Sequence, residues 1–329
     1  MDPMAPRAGA TPTLCGPLEL VTLMANELEP AVRFLTQAMR LRIAGDVELH
    51  GADAGAAARR ELWGLPAAAR WRELTFEAAS EPPGVRVRVI AMPGGAPIRP
   101  GMESRLTGGL SIGFPAADLA LTLSRVTALG YESTAGIVPL TITRPDGSSY
   151  VSGEILFRGP EQSYMLVVGR PAGMAPVGPI DAATGMGGAA YSAIVVPDAT
   201  REIAFYRDVL GWEARQDIVL TTSGPAGGLG LDPGTQFRFV QLFAPGAASG
   251  YVCLLDMMAA GRANPVAPRL PNRGLVMWSF GTQSFDRVLA RARAAASDSS
   301  APRLADLAGR RTLTMLTPAG VMIEITDRG

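Results

Sequence analysis

The chain has 329 residues, which is enough for two domains of ordinary size, each with its own core. Its 30 basic and 30 acidic residues cancel and form no block of like charge, which argues against nucleic acid or a membrane surface as a partner. The sequence contains no lysine, so Schiff-base chemistry and a lysine base are excluded.

Residues 1–15 contain Pro, Gly and Thr without a continuous apolar core, which predicts a flexible terminus and not a signal peptide. No apolar run long enough to span a membrane follows, and we expect a cytoplasmic protein. The two cysteines lie far apart in sequence, Cys15 beside the loose terminus and Cys253 in the apolar run YVCLLDMM. We expect free thiols that differ in burial, with Cys253 in the core.

Residues 16–170 are predicted to form the first domain. A strand over residues 18–24 is followed by a helix that begins at Asn26 or Glu27, and then by three alternating strands, DVELHG, WRELTFEA and GVRVRVIAM. The Ala-rich segment GADAGAAARRELWGLPAAAR between them predicts a short helix or a loop over a pocket. A second pattern starts with a strand over residues 110–114 and a helix that begins at Asp118, followed by VPLTITR, SYVSGEILFR and SYMLVVG.

Residues 171–188 are rich in Pro and Gly without periodicity, which predicts a linker, and residues 189–329 form the predicted second domain. A strand over residues 191–196 precedes a helix that Asp198 caps and Gly211 ends. The strands QDIVLTT, TQFRFVQLF and GYVCLLDMM follow. The last pattern is GLVMWSF, the helix FDRVLARARAAA, and the strands RTLTMLT and GVMIEITD.

The stretch AAYSAIVVPDATREIAFYRDVLGWEAR resembles the opening of a module of the vicinal oxygen chelate superfamily, which contains glyoxalases, extradiol dioxygenases, epimerases and bleomycin-resistance proteins. The ending TPAGVMIEITD is similar to the last strand of such a module. Members repeat a βαβββ module, and two modules close a curved sheet around a pocket that usually holds a metal. The resemblance implies an α+β fold of four βαβββ modules, arranged as two tandem glyoxalase-like domains with curved mixed sheets.

Metal ligands of the superfamily come from the first and last strands of the modules, where His, Asp, Glu or Gln is needed. The first-strand positions carry no usual ligand here: Leu20, Ser111, Tyr191, and one of Val276, Met277 or Trp278. Among last-strand positions only Glu324 matches, since the second module has Leu166 or Met165 there. Asp256 is one further carboxylate near a strand end. We therefore expect no metal cofactor, with a divalent metal as the less favoured alternative.

Without a metal, the pocket walls would be apolar and aromatic, which suits a small hydrophobic or aromatic ligand. We predict that the substrate-binding residues are Leu20, Ser111, Tyr164, Met277, Trp278 and Arg238. Glu324, with a pKa raised by apolar walls, would move a proton beside Tyr191 in one shared cavity, with His50 as a third catalytic candidate. Structural roles stay open: Glu324 could pair with one of the many arginines, Arg238 or Arg311 for instance. Tyr191 could be a core ring, His50 an exposed strand end, and Arg238 a solvent-facing residue.

Two functions of different class follow. The first is a metal-independent lyase or isomerase that acts by proton transfer on a small aromatic or polyketide-like compound. The alternative is non-catalytic binding that sequesters a hydrophobic or antibiotic-like molecule, as the resemblance to bleomycin-resistance proteins implies. A metal-dependent lyase or dioxygenase is third. A homodimer, and the way in which the two domains pair, are left open.

Overall fold

A computed structural model describes residues 13–49, 53–143, 147–222, 228–297 and 300–329. Most of the predicted flexible terminus, 1–15, and the catalytic candidate His50 lie outside these ranges. None of the helices within the described ranges is long and apolar enough to cross a membrane.

The first half of the chain contains two strand–helix–strand repeats. The first repeat consists of β1 (Cys15–Ala25), α1 (Leu28–Arg33), β2 (Arg42–Leu49), α2 (Ala54–Trp63), β3 (Trp71–Glu77) and β4 (Arg86–Ala91). The second consists of β5 (Gly108–Pro115), α3 (Leu119–Ala128), β6 (Val138–Thr143), β7 (Ser149–Arg158) and β8 (Tyr164–Gly169). The Ala-rich segment predicted as a helix or loop is therefore the helix α2.

The second half repeats the same order twice. The third repeat consists of β9 (Tyr191–Val196), α4 (Ala199–Phe205), β10 (Glu213–Thr221), β11 (Gln236–Phe243) and β12 (Tyr251–Asp256). The fourth consists of β13 (Gly274–Thr282), α5 (Phe285–Ala295), β14 (Arg303–Leu307), β15 (Arg310–Leu316) and β16 (Met322–Asp327). Strand β14 was not predicted, because its short sequence RLADL has no clear alternation.

Local capping signals are confirmed where helices begin and end. The Asp198 carboxylate accepts hydrogen bonds from the backbone N–H groups of Thr200 (2.9 Å) and Arg201 (3.1 Å) at the start of α4. Asp118 caps α3 in the same way. A π-helical turn continues α4, and Gly211 ends it with a φ of 72°, a left-handed conformation that glycine adopts at little cost.

The four repeats form two curled, mixed sheets of eight strands each. The first sheet has the order β14-β15-β16-β13-β1-β4-β3-β2 and joins repeats one and four. The second has the order β10-β11-β12-β9-β5-β8-β7-β6 and joins repeats two and three. The predicted fold of four βαβββ modules is confirmed. How the halves pair had been left open, and the structure shows that each sheet takes one repeat from each half of the chain.

Three apolar clusters hold these layers together. The largest joins α1, α3, α4 and α5 with one face of both sheets and forms the common core. The other two clusters lie on the opposite, concave faces, which we call the first cup, on the first sheet, and the second cup, on the second sheet. Residues 170–190, all of which the structure describes, form isolated bridges and no helix or longer strand.

Both cysteines are free and buried. Cys253 lies in the second cup, as the expected core thiol. The expectation that Cys15 would be less buried is wrong, because β1 begins at this residue and carries its side chain into the common core.

Candidate functional site

The start of each helix aligns the four repeats. Six residues before it, on the first strand of each repeat, lie Thr22, Gly113, Ala193 and Ser279. The strand registers pair these residues with Arg88, Leu166, Cys253 and Glu324 on the last strand of each repeat. Glu324 therefore lies opposite Ser279, and its counterpart in the first repeat is an arginine.

The predicted first-strand positions lie two residues earlier. Leu20, Ser111 and Tyr191 are equivalent, because each lies eight residues before the helix of its repeat. The same spacing in the fourth repeat selects Met277 from the three alternatives. Of the two alternatives for the counterpart of Glu324 in the second repeat, Leu166 is the equivalent residue.

Glu324 is the centre of a closed polar cluster in the first cup. Its Oε1 lies 3.1 Å from Nη2 of Arg88, and both side chains are almost fully buried. Ser279 Oγ donates a hydrogen bond to Oε1 (2.9 Å), and Trp63 Nε1 donates to Oε2 (3.0 Å). Arg88 Nε in turn donates to Thr22 Oγ1 (3.0 Å). Every polar group in this cluster thus has a partner.

These partners determine the ionisation of Glu324. Burial alone would raise the pKa of the carboxyl, but the positive charge of Arg88 and three hydrogen bonds outweigh it and hold the pKa below its usual value. The predicted raised pKa is therefore wrong. The alternative that Glu324 pairs with an arginine is confirmed, and the partner is Arg88. The two examples named for it were not the partner, because Arg238 binds Asp217 and Arg311 binds Asp286 and Asp327.

Helix α2 fills the first cup. Besides its bond to Glu324, the Trp63 ring lies 5.1 Å from the guanidinium carbon of Arg88 and 5.8 Å from the Trp71 ring. Thr314 on β15 donates a hydrogen bond to the carbonyl of Leu62 on α2. A cavity of about 380 Å³ remains between the end of α2, residues 267–272 and β15. The ion pair itself is covered.

A divalent metal does not suit this position. Thr22, Arg88, Ser279 and Glu324 offer one carboxylate and two hydroxyls, and the guanidinium already neutralises the carboxylate. Within the described ranges, no group of three or more His, Cys, Asp or Glu side chains is placed to hold a metal ion.

The second cup has an aromatic wall. The rings of Tyr191 and Tyr251 stack with centroids 4.8 Å apart, and Tyr251 stacks on Phe243 at 4.3 Å. The guanidinium of Arg215 covers the far side of Phe243 at 4.4 Å. Gly113 allows this arrangement, because a Cβ there would overlap the Tyr191 ring. Neither tyrosine hydroxyl forms a hydrogen bond with a residue that the structure describes.

Glu154 on β7 adds a carboxyl to the second cup. Burial raises its pKa from 4.5 to about 7. Its charge in turn contributes, after burial, to raised pKa values of Tyr191, Tyr251 and Cys253, so the carboxyl lies near all three. The side chain is half-buried and has no hydrogen bond or ion pair with any described residue. A carboxyl of this kind can hold a proton or a cation.

A cavity of about 1000 Å³ lies at the rim of the second cup. It is bounded by β10, by Tyr150 on β7 and by the loop that follows β8, which carries Arg170. Leu220 borders both this cavity and the apolar cluster of the cup. The volume matches that of small-molecule sites, which are typically a few hundred to about 1000 Å³.

The predicted pocket residues are divided between the two sheets. Glu324, Leu20 and Met277 belong to the first cup, whereas Tyr191, Ser111 and Tyr164 belong to the second. The prediction that Tyr191 and Glu324 share one cavity is therefore wrong, because β9 and β16 lie in different sheets. The Tyr164 hydroxyl donates a hydrogen bond to the carbonyl of Met102 (2.7 Å), which engages it within the protein.

Two predicted pocket residues face neither cup. Trp278 lies in the common core between the sheets, because its neighbour Met277 takes the cup-facing position on β13. Arg238 lies on the helix side of the second sheet, where it binds Asp217 (2.7 Å) and Thr200 Oγ1 (2.7 Å). His50 lies outside the described residues.

Three important residues were missed: Arg88, Trp63 and Glu154. A signal for Arg88 exists, because GVRVRVIAM alternates arginine with apolar residues and so places both arginines on one face. Glu154 lies between Gly153 and Ile155 in an otherwise alternating strand. This sequence context does not indicate a particular role for it. Trp63 closes α2, and no local pattern connects it with Glu324, 261 residues away.

Comparison with known proteins agrees with this architecture. Residues 188–325 match the model of the Glyoxalase/Bleomycin resistance protein/Dioxygenase superfamily. No curated protein sequence matches the chain.

Solved structures with the same fold cover almost the whole chain. Glyoxalase I from Zea mays is similar over 94% of this chain and 92% of its own, with a TM-score of 0.65 and 12% identity. A putative dioxygenase from Bacillus subtilis subsp. subtilis str. 168 is similar over 96% of this chain and 86% of its own, with a TM-score of 0.57 and 14% identity. At such low identity, the similarity concerns the fold alone.

Proposed function

We propose that this chain, of which residues 188–325 match the model of the glyoxalase, bleomycin resistance protein and dioxygenase superfamily, binds a small, flat, apolar molecule in its second cup. The observation that carries this proposal is the cavity of about 1000 Å³ at the rim of the second cup, which Tyr150 borders and which Leu220 joins to the apolar cluster of the cup. Flat rings gain both apolar burial and favourable ring contacts in a cavity of this kind. The ligand would lie beside Tyr150 and Leu220, because Tyr191 and Phe243 already cover both faces of Tyr251.

The contrast between the two cups supports this choice. In the first cup, α2 contributes Trp63, which covers the ion pair of Arg88 and Glu324. In the described part of the second cup, no helix occupies the equivalent place, and a cavity lies at its rim. The proposal needs no metal. It keeps the binding alternative of the sequence analysis and moves the site to repeats two and three.

Isothermal titration calorimetry with a panel of polycyclic aromatic compounds tests the proposal. We expect at least one compound to bind, and Tyr150→Leu to weaken its binding at least about tenfold, because the aromatic ring that borders the cavity is lost. Trp63→Phe, which changes the first cup, serves as the matched aromatic control and should leave the affinity within about twofold. Equal weakening by both variants, or no effect of Tyr150→Leu, would contradict the proposed site.

Glu154 favours a second candidate function. A carboxyl with a pKa of about 7 is partly ionised at neutral pH, which suits a general base. Under this candidate the second cup would act as a lyase or isomerase by proton transfer, with Glu154 in the role that the sequence analysis gave to Glu324. Incubation of the bound compound with the protein, followed by mass spectrometry and NMR, distinguishes the candidates. Binding alone returns the compound intact, whereas catalysis converts it and Glu154→Gln abolishes the conversion.

A further inference from the structure

Glu73 and Glu154 occupy the same position in two repeats. Arg88 and Leu166 are equivalent last-strand residues, and they lie opposite Thr75 on β3 and Leu156 on β7. Two residues earlier on these strands come Glu73 and Glu154. Each carboxylate therefore points into the cup of its own sheet, at the same level. Both glutamates belong to the same chain, so their surroundings can be compared directly.

In the first cup, the protein itself supplies a cation for this position. Arg59 on α2 forms an ion pair with Glu73, and its Nε lies 2.8 Å from Oε1. The N–H group of this nitrogen does not point at the carboxylate, so the contact is not a hydrogen bond. Trp71 Nε1 donates a hydrogen bond to the same oxygen (2.8 Å). Glu73 is 5% exposed, so its charge is tolerated only because a guanidinium and an indole compensate for the lost water.

In the second cup, the carboxylate at this position has no such partner among the described residues. Arg170 lies close enough to act on the pKa values of Tyr191 and Tyr251, but it forms no ion pair with Glu154. Arg215 is engaged by Glu213 and by two backbone carbonyls at the outer end of the aromatic stack.

We propose that the ligand of the second cup carries an ammonium or similar cationic group that pairs with Glu154, in the way that Arg59 of α2 pairs with Glu73 in the first cup. This inference rests on the proposed function and specifies the class of ligand, an aromatic amine of the aryl-alkyl type. The ring lies in the cavity at the rim of the second cup, and the cation replaces the water around Glu154. Pairing of a half-buried carboxylate with a cation is favourable because the alternative is an isolated charge in a poorly solvated place.

Matched probes separate this inference from the proposed function. 2-Naphthylmethylamine and 2-naphthalenemethanol have the same ring and differ in charge, and their dissociation constants for the full chain can be measured by calorimetry at pH 8. We expect the amine to bind at least about tenfold more tightly than the alcohol, and Glu154→Gln to remove that preference. Glu29→Gln, at an exposed position, is the control and should leave the preference unchanged.

Each outcome decides a separate point. Equal binding of the two probes, or an amine preference that survives Glu154→Gln, overturns the cation inference while leaving ring binding in place. Binding of neither probe contradicts the proposed function as well. If Glu154→Gln does not fold, a pH series on the unmodified chain decides. Amine affinity should fall toward that of the alcohol as pH drops below the Glu154 pKa of about 7, whereas alcohol affinity should stay constant. A flat amine series overturns the inference.

Discussion

Arg88 and Glu324 are equivalent residues of two repeats that carry opposite charges, and their side chains meet at 3.1 Å in the first cup. The two repeats therefore have the same backbone arrangement at this position but opposite side-chain charges. A pair of carboxylates at these two positions would repel each other or hold a cation between them, whereas an arginine and a glutamate neutralise each other. In the first cup, these two side chains therefore bind each other.

Arg88→Met should destabilise the protein strongly, because it leaves the buried Glu324 carboxylate without its cation. We expect a loss of about 3–5 kcal/mol in the free energy of unfolding, measured by urea denaturation at pH 7. The double variant Arg88→Met with Glu324→Met should be more stable than the single one. As a control, Arg311→Met removes the two ion pairs of an exposed arginine, with Asp286 and Asp327, and should cost about 1 kcal/mol or less. A double variant less stable than Arg88→Met would contradict the assigned pair.

Trp63→Phe tests the contact between α2 and Glu324. The phenyl ring retains most of the packing but cannot donate the hydrogen bond to Oε2, so we expect a loss of about 1–3 kcal/mol in stability. The same hydrogen bond helps to lower the pKa of Glu324, so acid unfolding should begin at higher pH than in the unmodified chain. Urea denaturation at pH 7 and pH 4 checks both effects. An unchanged acid midpoint would argue against the bond.

Gly113→Ala should disturb the aromatic wall of the second cup. The added methyl group would overlap the Tyr191 ring, which must then shift and open its stack on Tyr251. We expect a loss of about 1–3 kcal/mol and a changed tyrosine signal in near-ultraviolet circular dichroism. Gly45→Ala on β2 is the matched control, because a methyl group there would lie 3.7 Å from Thr75, an ordinary contact. Equal effects of the two variants would speak against the predicted overlap.

Glu202 on α4 should make stability depend on pH. Burial raises its pKa from 4.5 to about 7, although Thr317 Oγ1 and the N–H of Ala319 donate hydrogen bonds to it. Because the folded pKa is raised, the folded state binds more protons than the unfolded state between about 4.5 and 7. The stability that this group contributes is therefore present below pH 4.5 and is lost as pH rises through 7.

Glu202→Gln removes this titration. Relative to the unmodified chain, the variant should gain about 2 kcal/mol between pH 5 and pH 8, as thermal unfolding at both values would show. Arg201 and Asp198, whose charges also act on Glu202, are unchanged in this comparison. A constant difference across the two pH values would mean that Glu202 has the same ionisation in both states.

Much of the fold could be predicted because its signals are local. The strand over residues 191–196, the caps Asp118 and Asp198, and the helices of all four repeats depend on alternation and on side chains within a few positions of one another. The two-cup arrangement could not be predicted in the same way. The first strands of all four repeats are similar. Nothing in the sequence of β1 indicates that its neighbour is β13 rather than β5.

The site could not be predicted correctly without knowing which strands are neighbours. Glu324 was chosen correctly as a buried polar residue, but its partner Arg88 comes from a strand 236 residues away. Tyr191 was expected to share a cavity with Glu324, but it lies in the other sheet, where its neighbours are Tyr251 and Glu154. Trp278 was one of three alternatives for the first-strand position of the fourth repeat, whereas the structure turns its side chain toward the common core.

The nesting of the repeats also determines the order in which the molecule can be completed. Repeats two and three are consecutive, so the second sheet needs only the segment from β5 to β12. The first sheet has to join β1 with β13, and residues 92–273 lie between the last strand of repeat one and the first strand of repeat four. Closing so long a loop is slow and costly unless the intervening chain is already compact. During synthesis, we therefore expect β1 to remain without its neighbour β13 until the fourth repeat has left the ribosome, and a second sheet folded in the meantime to bring the first and fourth repeats together.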